Sequence, residues 1–228
     1  MAIKMVMFDM AGTTVQDNDD VNLCFQDAMV STGLPITRDD INAVMGLRKP
    51  DAIRQILQEK LGTDAVVTDE HVHALHKVFL QRMIDFYKKD PRVKEIDGAS
   101  DVFRQLKAAG VKVAIDSGFS RDIIDTIIER LGWERDGLID ISVASDEVVN
   151  ARPHADMIKV AMAKFGIDDP KEVAKVGDTP ADLGEGENSG CSINIAVLSG
   201  AYKKEELLPY PHTHIVDSIK DISAIILQ

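Results

Sequence analysis

Only two cysteines, Cys24 and Cys191, occur in 228 residues. Two do not make a disulfide framework, and a reducing cytoplasm is the expected home. No run approaches the roughly 20 apolar residues of a membrane span, so no membrane partner is expected. The opening residues, MAIKMVMFDM, hold a short apolar run broken by Asp9 and no small-residue cleavage site, and no signal peptide is expected. Basic charge is scarce. Lys and Arg number 26 against 38 Asp and Glu, a formal charge of −12. That balance argues against nucleic acid, whose phosphates are held mainly by Lys and Arg. Repeats and low-complexity tracts are absent as well.

What is present is ordinary for a globular chain: 45% hydrophobic and 28% charged residues. The length suits one large domain, or one domain carrying a smaller one. Such a chain buries roughly 70% of its extended surface, enough for a core without disulfide or metal staples.

Short apolar runs ending in turn residues recur. IKMVMFD (3–9) leads into Ala11-Gly12-Thr13-Thr14, and VKVAID (111–116) into Ser117-Gly118. VAKVGD (173–178) leads into Thr179-Pro180, SINIAVL (192–198) into Ser199-Gly200, and HIV (214–216) is a weaker fifth. Each reads as a buried strand. Helical stripes lie between them. Residues 98–110 carry Val102, Leu106 and Ala109 on one face, and 120–132 carry Ile123, Ile124, Ile127, Ile128 and Leu131 behind a Ser120 cap. A third helix runs over 153–166, with Pro153 in its first turn and Gly166 as its stop. Strand alternating with helix predicts an α/β fold, a Rossmann-like doubly wound parallel sheet. Residues 17–90 differ: four helical patterns and no convincing strand. We expect an α/β core of residues 1–16 and 91–228, with a helical cap of residues 17–90 inserted after the first strand.

Open parallel sheets bind ligands at the carboxyl ends of their strands. Asp9, Ser117-Gly118 and Asp178 sit there, with Asp182 one helical turn further on. Carboxylates meeting in one crevice repel unless a cation sits between them. A hard, oxygen-ligated ion such as Mg²⁺ fits, and it usually accompanies a phosphate-type substrate. The bland alternatives are helix caps for each Asp and a turn role for Ser117. His71, His73 and His76 lack a partner at ligand spacing and read as a polar helix face. Met10 and Met45 are placed to face a substrate, and the DNDD run at 17–20 reads as a solvated cap for the next helix.

FDMAGTT (8–14), IDSG (115–118), ARP (151–153) and GDTPAD (177–182) resemble, in order and spacing, the four motifs of the haloacid dehalogenase superfamily. The resemblance implies that Asp9 attacks phosphorus and carries an aspartyl-phosphate. It implies Mg²⁺ held by Asp9, the Ala11 carbonyl and Asp178, with Asp182 as ligand or supporting group. It also implies substrate contacts from Gly12, Thr13, Met45, Ser117 and Gly118, with Arg152 at the third-motif position. One departure matters. Phosphatases of the superfamily carry a general acid two residues after the nucleophile, where this chain has Ala11. Losing a positioned acid costs about 10²- to 10⁴-fold.

The phosphonatase branch has Ala at that position, and FDMAGTTV resembles its first motif. There a cap lysine forms a Schiff base with an aldehyde, and the iminium accepts the electrons of the breaking C–P bond. MGLRKPDAIR (45–54) resembles the segment around that amine and puts Lys49 in its place. Arg152 matches the branch too. Ala52 replaces its proton-shuttling His, Phe119 replaces its Tyr, and the chain is shorter. Three readings of Lys49 stay open: a solvated helix residue, an electrostatic substrate contact, and an imine-forming amine. The expected activity is C–P cleavage of phosphonoacetaldehyde or a close phosphonate. The alternatives are a phosphatase for a small phosphomonoester and a weakly catalytic regulator that binds a phosphorylated metabolite. The expected partner is a small phosphorylated or phosphonate substrate, and a homodimer is left open.

Overall fold

The computed structural model describes residues 2–62 and 65–228. In chain order the elements are β1 (Met5–Phe8), α1 (Asp20–Met29), α2 (Arg38–Asn42), α3 (Lys49–Leu61), α4 (Asp69–Lys89), α5 (Ala99–Ala108), β2 (Lys112–Ser117) and α6 (Arg121–Leu131). There follow β3 (Ile141–Ala144), α7 (Asp156–Phe165), β4 (Val173–Gly177), α8 (Pro180–Ser189), β5 (Ile193–Val197), α9 (Lys204–Leu207), β6 (His214–Val216) and α10 (Ile222–Ile226). The six strands form one sheet in the order β3-β2-β1-β4-β5-β6, and every neighbouring pair is parallel. The α/β expectation therefore holds, with β1 at the centre.

Alternation along β1 divides the interior. Val6 and Phe8 face a large cluster that takes in α5, α6 and α10. Met5 and Met7 face a smaller one with Ala114, Val173 and Met157, Ile158 and Ala161 of α7. Phe8 meets Phe103 edge-on with ring centroids 5.3 Å apart, and Phe103 meets Trp133 at 5.4 Å, a geometry that aromatic quadrupoles favour.

Three of the five expected strands, those at 3–9, 173–178 and 192–198, are shorter than expected, the one at 111–116 is shifted by one residue, and 214–216 matches. β3 was not expected: ISVA is four residues, and its first two are half-buried, so it shows no solid apolar run. α7 starts at Asp156, not at Pro153, because the Arg152–Pro153 segment turns into the site first. Ser120 is the N-cap residue of α6, yet its Oγ makes no capping bond and is buried without a partner. Between β1 and β2 the described residues of 17–90 contain α1 to α4 and no strand. α4 reaches the turn after β2, where Phe79 and Tyr87 lie 6.5 and 6.2 Å from the ring of Phe119. No helix among the described residues is long and apolar enough to cross a membrane.

Candidate active site

The register places the ends of β1, β2 and β4 side by side, with Phe8 level with Ile115 and Val176. Asp9, Asp116 and Gly177 follow on those three strands. The Asp9 N–H donates to the Val176 carbonyl at 2.9 Å, so the nucleophile candidate leaves the sheet still tied to it.

The chain then turns sharply. The N–H groups of Thr14 and Val15 both reach the Met10 carbonyl at 2.8 Å. Gly12 has φ +87°, and a Cβ there would lie 2.6 Å from Asp178 Oδ2 and 2.8 Å from Gly200 Cα, so only glycine fits. Thr13 donates its hydroxyl to Asp178 Oδ1 at 3.0 Å, and the Ala201 N–H donates to Asp178 Oδ2 at 2.9 Å. Thr13 thus positions a carboxylate. Met10 points into the core, contrary to the expectation that it faces the substrate; Met45 does line the cavity described below.

Carboxylate oxygens of Asp9, Asp178 and Asp182 lie within 4.8 Å of one another, all buried. Burial, opposed by Arg152 and reinforced by Asp182, pushes Asp9 up to about 6. Burial and the charges of Asp9 and Asp182 push Asp178 well above the carboxylate range. A hard divalent cation between Asp9 and Asp178 would relieve that repulsion, so the donor set fits Mg²⁺. Asp182 is less free. Thr179 caps α8 by accepting from the Asp182 N–H at 3.3 Å, and Asp182 Oδ2 accepts in return from Thr179 Oγ1 at 2.6 Å and its N–H at 3.2 Å. Asp182 Oδ1 sits 2.8 Å from Arg152 Nη1 and 3.2 Å from Lys175 Nζ.

Arg152 is anchored on every side. Nη1 is 2.6 Å from Asp9 Oδ1, Nη2 contacts Asp116, and Nε is 3.2 Å from Glu185 Oε2. Sequence reasoning missed Asp116, Lys175 and Glu185. The available signal was a charged residue inside an otherwise apolar strand: Lys175 in VAKVG and Asp116 in KVAIDS.

Lys49 opens α3 and is only 3% exposed. Its Nζ donates to the Leu47 carbonyl at 3.3 Å and sits over the rings of Phe119 and Phe79. Burial draws its pKa down to about 8, with Asp9 opposing. The cavity that Lys49 shares with Asp9, Ala11, Met45, Ser117 and Asp178 measures about 30 Å³. The walls meet closely: a Cβ on Gly118 would lie 2.5 Å from the Leu47 carbonyl and 2.6 Å from that of Gly46. Ser117 accepts from the Phe119 N–H at 3.2 Å, which shapes the turn. Asp17 accepts from the N–H groups of Asp20 and Val21 at 2.7 and 3.2 Å. It caps α1 as expected, yet it also lines the cavity. His73 and His76 line a separate cavity of about 340 Å³ beside Lys49 and join no metal-ligating group among the described residues.

The model of the haloacid dehalogenase-like hydrolases matches residues 6–196. The chain belongs to that family, and it is a hydrolase. A phosphonoacetaldehyde hydrolase of Bordetella pertussis is 31% identical over 209 residues, spanning 87% of this chain and 74% of that protein. Another, from Latilactobacillus sakei, is 27% identical over 226 residues, spanning 94% and 81%. A phosphonoacetaldehyde hydrolase-like protein from Oleispira antarctica superposes with a TM-score of 0.85 at 19% identity, covering 100% of this chain and 92% of that one. A hydrolase from Pseudomonas syringae gives 0.84 at 20% identity, covering 96% and 95%. Those two likenesses are of fold.

Proposed function

We propose that this hydrolase cleaves the C–P bond of phosphonoacetaldehyde or a close phosphonate through an aspartyl-phosphate on Asp9. One observation carries the reading. The buried amine of Lys49 and the carboxylate of Asp9 line the same small cavity, and the residue where an esterase keeps its acid is Ala11.

In this reading residues 17–90 are the cap over the core of residues 1–16 and 91–228. Lys49, neutral above about pH 8, adds its lone pair to the carbonyl carbon and expels water, leaving an iminium. Asp9 attacks phosphorus in line with the C–P bond. The electron pair of that bond passes into the iminium and forms an enamine, so no alkoxide departs and no acid is required at position 11. Water then frees phosphate from Asp9. Protonation of the enamine carbon and hydrolysis release acetaldehyde from Lys49. The N–H groups around Gly12, Ser117 and Gly118 are the candidates for the phosphoryl oxygens, and Met45 covers the substrate. Arg152 orients Asp9. A Mg²⁺ held by Asp9, the Ala11 carbonyl and Asp178, with Asp182 behind it, would neutralise charge on the phosphoryl group. The close walls exclude water from the iminium.

The test is borohydride reduction in the presence of phosphonoacetaldehyde. A reduced adduct on Lys49, together with release of phosphate and acetaldehyde, is expected. Rapid phosphate release from sugar phosphates, with neither an adduct nor C–P cleavage, would instead identify a phosphomonoesterase.

A further inference from the structure

Beneath Asp9 lies a layer of buried charge that the proposed chemistry leaves without a task. Lys175 on β4 pairs in register with Met7 on β1. Asp116 on β2 lies one residue past the partner of Phe8. Lys175 Nζ is 2.6 and 2.8 Å from the two oxygens of Asp116, 2.8 Å from Glu185 Oε2 and 3.2 Å from Asp182 Oδ1. All four side chains have zero exposure, as has Arg152. Lys175 does not line the cavity next to Asp9.

Stability alone is a poor reason for such a cluster. Replacing buried ions by apolar side chains of similar volume is often neutral or stabilising. The cluster's geometry suggests a different use. Arg152 is shared among Asp9, Asp116, Asp182 and Glu185, and three of those four also touch Lys175. Of the four, only Asp9 has no direct contact with Lys175. If Lys175 lost its charge, Asp116, Asp182 and Glu185 would compete for the guanidinium, and none of the three lines the cavity next to Asp9.

We propose that Lys175 is a positioning residue for the nucleophile: by pairing with Asp116, Asp182 and Glu185 it leaves the Arg152 Nη1 on Asp9, and so fixes the carboxylate in its attacking orientation. The inference rests on Asp9 as the nucleophile and is independent of the identity of the leaving group.

The test compares K175M with the charge-compensated pair K175M/D116N, on phosphonoacetaldehyde and on 4-nitrophenyl phosphate. In K175M, kcat is expected to fall about 100-fold on both, the usual effect of a 1 Å misplacement. KM should stay within about twofold, since substrate binding is untouched. D116N removes the carboxylate that Arg152 Nη2 and Lys175 Nζ share, so the pair should recover at least about tenfold of the lost kcat. A role confined to stability predicts unchanged kcat per folded molecule in K175M, and a pair no more active than the single variant. Either result overturns the proposal. If K175M does not fold, K175Q, which keeps a polar amide against Asp116, is measured in its place. If the unaltered protein turns over neither compound, the functional reading has failed, and a crystal structure of the variant decides this point alone. Arg152 moved off Asp9 towards Asp116 supports the proposal, and an unchanged 2.6 Å contact refutes it.

Discussion

The Nζ of Lys49 lies 5.4 Å from the ring centroid of Phe119. The two residues come from opposite sides of the site, one from the start of α3 and one from the turn after β2. The ring face favours the ammonium, but burial disfavours it, and burial dominates: the amine titrates at about 8 instead of 10.5. A nucleophilic amine requires that inequality.

Turnover of phosphonoacetaldehyde should therefore follow the neutral amine. The cation is the inactive form and its pKa is lowered, so the rate rises with pH and levels off above about 8. K49R keeps a charge but cannot form an imine. It should lose C–P cleavage by at least about 10³-fold, while 4-nitrophenyl phosphate hydrolysis persists. A pH–rate profile and a phosphate-release assay on both substrates check this.

Ala11 should be convertible. A11D places a carboxyl group where a departing alkoxide needs a proton. Hydrolysis of alkyl phosphates should rise by about 10²-fold or more, with C–P cleavage unimproved. Steady-state kinetics on a sugar phosphate read the gain.

Gly118 allows the approach of the Gly46–Leu47 backbone. G118A would put a methyl 2.5 Å from the Leu47 carbonyl. Backbone at position 118 has an ordinary φ, so the added side chain strains closure and not the turn itself. We expect kcat to fall by about 100-fold while Tm moves only a few degrees. Calorimetry beside kinetics separates the two effects.

Chelation should abolish turnover, and re-addition of Mg²⁺ should restore it. Because Asp178 is held well above its usual range by burial and by Asp9 and Asp182, a cation must displace protons to bind. Apparent affinity should rise with pH, by up to about tenfold per unit for each proton released. Titration calorimetry at pH 6 and pH 8 in two buffers measures both the affinity and the proton count.

Much of the site was legible because turn chemistry and charge are local. Asp9, Ser117 and Asp178 each end an apolar run that can only be a buried parallel strand, and such strands deliver their last residues to one edge. Asp182 was legible one helical turn beyond Asp178, on the same helix face. β3 was not, since a four-residue edge strand is specified by its neighbour and not by its own apolar content. The resemblance implied a substrate contact for Thr13, and only the structure brings its hydroxyl to Asp178, 165 residues away. Met10 looked equally exposed to ligand and is core.

The sequence by itself determined the α/β alternation and the carboxylates at the strand ends, which follow from residue type and period, while the missing acid at Ala11 and the amine at Lys49 came from the resemblance of its motifs to a known family. Only the tertiary structure decided that Lys49 is desolvated between Phe79 and Phe119, and that Arg152 is held by four carboxylates with Lys175 beneath. Desolvation and charge sharing depend on distances between residues remote in the chain, and those exist only once β1, β2, β4 and the inserted helices have come together.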